Sequence, residues 1–229
     1  MAYRKVDEAS LTAVADSIRE KGGTTGALAF PDGFVSAVQA IQAGGGEADS
    51  SFKDVIERTA VNPTLPSDLT KIGDYAFYNA INLAITSLPD GVTSIGDSAF
   101  PGCTKIALTS LPYGLTSIEA SVFFRCTNLA LTSLPDGLTS IGSYALYMCT
   151  NLALTSLPYG LKSIGSSAFQ NCNGLTTITF EGKPSSIASN AFSNCNNLKT
   201  INVPWAEGAV ANAPWGATNA TINYNYTGE

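Results

Sequence analysis

The apolar positions of this chain recur with a period of 23 residues. Isoleucine stands at Ile72, Ile95, Ile118, Ile141, Ile164 and Ile187, and cysteine at Cys103, Cys126, Cys149, Cys172 and Cys195, with Ala80 one period earlier. An Ala-Phe pair keeps the same clock at Ala76-Phe77, Ala99-Phe100, Ala168-Phe169 and Ala191-Phe192, softened to Val122-Phe123 and Ala145-Leu146. Leu65, Leu88, Leu111, Leu134, Leu157, Phe180 and Val203 make a third row. A fixed period in this range marks a solenoid, whose coils bury their apolar faces only by stacking on neighbours.

Within a coil, alternation predicts which residues face inward. Leu83, Ile85 and Leu88 are expected inside, and Ala84, Thr86 and Ser87 outside, an outward set that recurs as Ala107, Thr109, Ser110 and its counterparts. The segment Gly-Val/Leu-Thr-Ser-Ile predicts a second short strand, and x-x-Ala-Phe-x-x-Cys a helical turn. The expected class is therefore an α+β repeat solenoid of six coils over residues 63–203, with short parallel strands and helical turns. Stacked six deep at about 4.8 Å, its sheet would be roughly 29 Å long, enough for a protein or glycan footprint.

The flanks break the period. Residues 1–45 predict a helical hairpin: Leu11, Val14, Ala15 and Ile18 share one face, Asp7 caps the start, and Gly22-Gly23 stops the helix. A second helix is expected from Pro31, with Phe34, Val38 and Ile41 as its stripe. Two such helices make too small a core to stand alone, so the hairpin is expected to serve attachment or oligomerisation, or to pack on the solenoid. Residues 46–62 are expected to supply a linker and an N-terminal cap. Residues 204–229, with Trp205 and Trp215, are expected to form the C-terminal cap.

Composition narrows the function. A net charge of −6 argues against a nucleic-acid surface, which needs clustered Lys and Arg. No stretch approaches the roughly 18 apolar residues of a membrane span, and residues 1–23 have no signal-peptide core. The chain has no histidine, which excludes Ser-His-Asp and Cys-His arrangements and His metal sites. No phosphate-binding or dinucleotide-binding glycine pattern is present. The expectation is a non-enzymatic protein without cofactor or metal. Cysteines one period apart would point inward as a row of reduced structural thiols, and a line suits zinc poorly.

Positions where the coils disagree are read as those the scaffold does not dictate. One such row is Tyr78, Pro101, Phe124, Tyr147, Gln170, Ser193, and the next is Asn79, Gly102, Arg125, Met148, Asn171, Asn194. A turn row alternates Asp90, Tyr113, Asp136, Tyr159. Tyr78, Phe124, Arg125, Tyr147 and Met148, with Tyr113 and Tyr159, are the candidate ligand-binding residues, being of the types enriched at interfaces. The alternative is that these rings lie flat on neighbouring coils and cover the core edge.

The block L-P-x-G-L-T-S-I-G-x-x-A-F-x-x-C-x-x-L over residues 63–203 resembles the leucine-rich repeats of BspA-like bacterial surface proteins. The resemblance implies a right-handed leucine-rich-repeat solenoid. One departure is that the first strand reads mostly N-L-A-L-T-S-L where the family has L-x-x-I-x-I. Only Leu175-Thr176-Thr177-Ile178-Thr179-Phe180 restores that spacing, so the register on that face is expected to differ.

The run L-T-A-V-A-D-S-I-R-E-K-G-G-T-T, followed by F-P-D-G-F-V-S-A-V-Q-A-I, resembles the leader of tail-associated proteins in phages and prophages of gut Gram-positive bacteria. That implies a virion protein, cytoplasmic before assembly, attached through residues 1–45 and presenting its repeats to a host-surface protein or glycan. The repeats alone equally imply a cell-surface or secreted adhesin or interaction module.

Overall fold

The computed structural model describes Leu65 and residues 67–228. The expected hairpin over 1–45 and the linker and cap over 46–62 lie outside the described residues. Ten strands follow: β1 (Lys71–Ile72), β2 (Ser94–Ile95), β3 (Ser117–Ile118), β4 (Ser140–Ile141), β5 (Ser156–Leu157), β6 (Ser163–Ile164), β7 (Thr177–Phe180), β8 (Ser186–Ile187), β9 (Thr200–Asn202) and β10 (Thr221–Asn223). All pairings are parallel, in the orders β1-β2, β3-β4-β6-β8 and β10-β9-β7-β5. Isoleucine stands opposite isoleucine at Ile118↔Ile141 and Ile141↔Ile164, one period apart. The result is a parallel β-solenoid of about 7 turns.

No helix forms among the described residues, so the α+β expectation is corrected to an all-β solenoid. The Ala-Phe-x-x-Cys segment shows why. A helical N–H would return to a carbonyl four residues back in its own coil. Here Ser121, Phe123 and Arg125 donate instead to Ser143, Ala145 and Tyr147 of the next coil, at 2.9, 2.8 and 2.7 Å. Phe124 and Cys126 donate back to Ser121 and Phe123, at 3.2 and 3.1 Å. Ser121 and Arg125 take the left-handed conformation, at φ 55 and 61°, which a right-handed helix cannot absorb. The segment is a chain of tight turns spliced into a ladder between coils.

The first-strand face carries the departure in spacing. Leu83, Ile85 and Leu88 are buried while Thr86 and Ser87 are exposed. Two consecutive polar residues break the alternation a strand needs. Early coils therefore hold only one or two bonds there: Ala107 N–H to Ile85 at 3.1 Å, then Ala130 N–H to Leu108 and Thr132 N–H to Thr109, both at 3.1 Å. In β7, Thr177-Ile178-Thr179-Phe180 alternates strictly, and it is the longest of the described strands at 4 residues.

Strand pairing is absent between β2 and β3. Those coils are joined instead by Phe100 N–H to Val122 at 2.9 Å, Gly102 N–H to Phe124 at 2.7 Å, and Ala120 N–H to the Asp97 carboxylate at 3.0 Å.

The core runs between these faces as rows of like side chains. Phe77 stacks on Phe100 at 4.9 Å, Phe100 on Phe123 at 5.6 Å, and Phe169 on Phe192 at 4.9 Å, with Leu146 interrupting. At the C-terminal end Trp215 is fully buried, 5.9 Å from Phe180 and 6.4 Å from Trp205, and its indole N–H donates to Ala211 at 2.8 Å. There β10 continues the ladder on β9 through Ile222↔Ile201.

Candidate functional site

The turn segment carries two left-handed positions in most coils, and both bear on the candidate residues. One row is Tyr75, Ser98, Ser121, Tyr144 and Ser167; the other is Asn79, Gly102, Arg125, Met148, Asn171 and Asn194. The sequence pattern suggests that the second row is free of scaffold demand, and the structure corrects that. Its backbone is dictated, and it favours Gly and Asn, which four of the six positions supply. Arg125 at φ 61° and Met148 at φ 58° are the exceptions. Each holds a conformation costing about 1–2 kcal/mol for an ordinary side chain. Such outliers concentrate at functional sites.

The two exceptions sit beside an aromatic cluster. Phe124 and Tyr147 stack across adjacent coils with centroids 4.8 Å apart and planes 8° from parallel. Tyr144 closes the group, edge-on to Phe124 at 6.4 Å and tilted against Tyr147 at 5.8 Å. The Arg125 guanidinium lies 5.4 Å from the Phe124 ring centroid, within cation–π range. Phe124, Arg125, Tyr147 and Met148 are thus brought together. Tyr78 pairs instead with Tyr75, at 6.1 Å, two coils away from Phe124 across buried Pro101. Tyr75, Tyr78 and Tyr144 are 39%, 44% and 43% exposed.

Tyr75 and Tyr144 are not among the sequence candidates. Their row, three positions before the one singled out, reads Tyr75, Ser98, Ser121, Tyr144, Ser167, and a large ring in place of serine is a usable signal. Tyr113 and Tyr159 are not on this face; they stand on the Leu-Pro-Tyr-Gly corners.

The five cysteines are buried and unpaired. Each Sγ lies within hydrogen-bonding distance of a main-chain carbonyl in the preceding coil. Cys103 reaches Phe77 at 3.0 Å, Cys126 Phe100 at 3.0 Å, Cys149 Phe123 at 3.2 Å, Cys172 Leu146 at 3.0 Å and Cys195 Phe169 at 2.9 Å. Burial pushes the Cys103 thiol up to about 12 and the Cys195 thiol up to about 11. The three between are also raised, by burial first and then by neighbouring thiols. Thiols so protonated are poor nucleophiles and poor metal ligands. Among the described residues no cluster of three metal-capable side chains exists, and no helix is long and apolar enough to cross a membrane.

Residues 48–152 and 123–208 match the family model described as the BspA type leucine rich repeat region, in 6 copies. A leucine-rich-repeat protein from T. pallidum is 32% identical over 62% of this chain and 72% of its own, with a TM-score of 0.54. A leucine-rich-repeat protein from Bacteroides ovatus is 20% identical over 72% of this chain and 61% of its own, at a TM-score of 0.42. A leucine-rich cell surface protein from Faecalibacterium prausnitzii is 24% identical over 63% of this chain and 55% of its own, also at 0.42. No curated protein matches the chain.

Proposed function

The chain belongs to the BspA-type leucine-rich-repeat family, and from that premise we propose a non-enzymatic binding protein of a phage or prophage tail that helps recognise a host surface. Family and fold are those of binding modules. One observation carries the recognition part. Phe124, Tyr144 and Tyr147 gather on an exposed turn face beside Arg125 and Met148, at positions where the fold favours Gly or Asn. Aromatic and arginine anchors of this kind dominate interface energetics. Arg125 repays part of its strain through its contact with Phe124, Met148 has no such contact among the described residues, and a ligand held by both would account for their place beside the cluster.

The tail assignment is supported by the leader resemblance within residues 1–45, which would hold the particle while the repeats face the host. In this reading the protein is cytoplasmic before assembly and resident in virions afterwards. The second reading, a cell-surface adhesin or interaction module, is favoured by the resemblance of the repeats to BspA-like bacterial surface proteins. Mass spectrometry of particles purified after prophage induction in the source strain separates the two. Stoichiometric recovery in virions supports the tail reading; absence from particles with recovery in the cell envelope supports the adhesin.

A further inference from the structure

The Leu-Pro corner of the solenoid carries a pattern that packing does not explain. Four successive coils turn through the same tight bend, closed by Val92 N–H to Pro89 at 3.1 Å, Leu115 N–H to Pro112 at 3.2 Å, Leu138 N–H to Pro135 at 3.0 Å and Leu161 N–H to Pro158 at 3.1 Å. The residue after each proline occupies the apex, in the order Asp90, Tyr113, Asp136, Tyr159. Tyr113 and Tyr159 are 80% and 78% exposed, the most exposed of the large apolar side chains among the described residues. Neither ring contributes burial to the fold. Each is nevertheless presented by a proline-stiffened turn.

Identical turns on stacked coils are spaced like strands, by about 4.8 Å, so tyrosines on alternate coils stand about 9.6 Å apart. Asp136 lies midway. We propose that this ridge binds a neutral, extended β-1,4-linked glycan. In such a chain each pyranose is turned over relative to the last, and alternate rings present the same face. The two-sugar repeat is close to twice the coil spacing. Tyr113 and Tyr159 stack on the C–H faces of the first and third sugars, and the Asp136 carboxylate accepts a hydrogen bond from a hydroxyl or amide of the second. Charge-assisted bonds of that type are among the stronger neutral-ligand contacts. Asp90 and Asp136 on the row, with a net charge of −6 overall, select against anionic glycans. The site is distinct from the Phe124 cluster and holds for a tail protein or an adhesin alike.

Calorimetric titration of the full chain with chitohexaose and cellohexaose, with α-linked maltohexaose as the mismatched control, tests the proposal. At least one β-1,4 hexaose is expected to bind and maltohexaose is not. Tyr113→Ala and Tyr159→Ala should each weaken binding about tenfold, the scale expected for removing one stacked ring, and the double variant should abolish it. Asn128→Ala, an exposed position in the segment after Cys126, should leave the titration unchanged. Both tyrosines are solvent-exposed, so melting midpoints should not move. Failure of both β-1,4 hexaoses to bind, equal binding by the double variant, or equal binding of maltohexaose overturns the proposal. So does retention on host cells that needs Tyr113 and Tyr159 but is destroyed by protease treatment of those cells, which would assign the ridge to a protein partner.

Discussion

The ring of Phe124 lies 4.8 Å from that of Tyr147, face to face across a coil boundary. That separation is the spacing of the stack itself, so rings at equivalent positions of neighbouring coils arrive already stacked. The edge of the core and the candidate binding surface are here the same object. These rings do lie on neighbouring coils, yet Tyr144 beside them keeps much of its surface in water.

Replacing Tyr78, Phe124 and Tyr147 together by Ser is expected to abolish attachment to host cells. The Phe124–Tyr147 stack is only partly buried, and such a pair is worth about 0.5–1.5 kcal/mol beyond its area. The melting midpoint should fall by a few degrees at most. Attachment measured by cell pull-down that survives the triple change would remove this face from consideration.

Met148→Asn should stabilise the protein by about 1 kcal/mol, because Asn tolerates the left-handed backbone that Met148 endures. Arg125→Asn should gain less, since it also removes the cation–π interaction with Phe124, worth about 0.5–1 kcal/mol. Urea midpoints report both. A gain in stability with a loss of attachment is the signature expected of a functional residue. A drop in midpoint for Met148→Asn would refute the strain argument.

The thiols should be silent to Ellman's reagent at pH 8 while the chain is folded and react fully once it is denatured. Their folded values lie above the usual 9.0, about 12 for Cys103 and about 11 for Cys195. The unfolded thiols therefore lose protons first as pH rises. Stability from this source is fully present below about pH 9 and is lost as pH climbs through the folded values, between about 11 and 12. Denaturation midpoints followed from pH 8 to 12 should fall across that window. A Cys-to-Ala variant at all five positions should lose that thiol contribution to the pH dependence.

Trp215→Ala should cost about 3–5 kcal/mol, the usual range for a fully buried large ring. The change also leaves Phe180 and Trp205 facing a cavity. Urea unfolding followed by Trp205 fluorescence measures it. A cost under 1 kcal/mol would show that the tail does little to close the stack.

Much of the core was legible in the one-dimensional pattern. The Ile72-to-Ile187 and Cys103-to-Cys195 rows repeat at one interval, and a repeated interval on a repeated backbone buries the same face every time. The expected helical turn fails for a definite reason. Ala, Phe and Cys at spacings of one and three residues fit a helix as well as a row of tight turns. What favours the turns is an acceptor in the next coil, as Ser143 is for Ser121, 22 residues away.

The aromatic site divides the same way. Phe124 and Tyr147 could be paired from their equal places in the period, but Tyr144, three residues earlier in its coil, is seen to join them only from the tight turn that brings its ring within 6.4 Å of Phe124 and 5.8 Å of Tyr147. The amino-acid order alone determined the period, the inward rows and the absence of histidine chemistry, because these depend on identity and interval. Which N–H met which carbonyl, and which side chains of different coils touched, was decided by stacking, because those partners exist only once a second coil is in place.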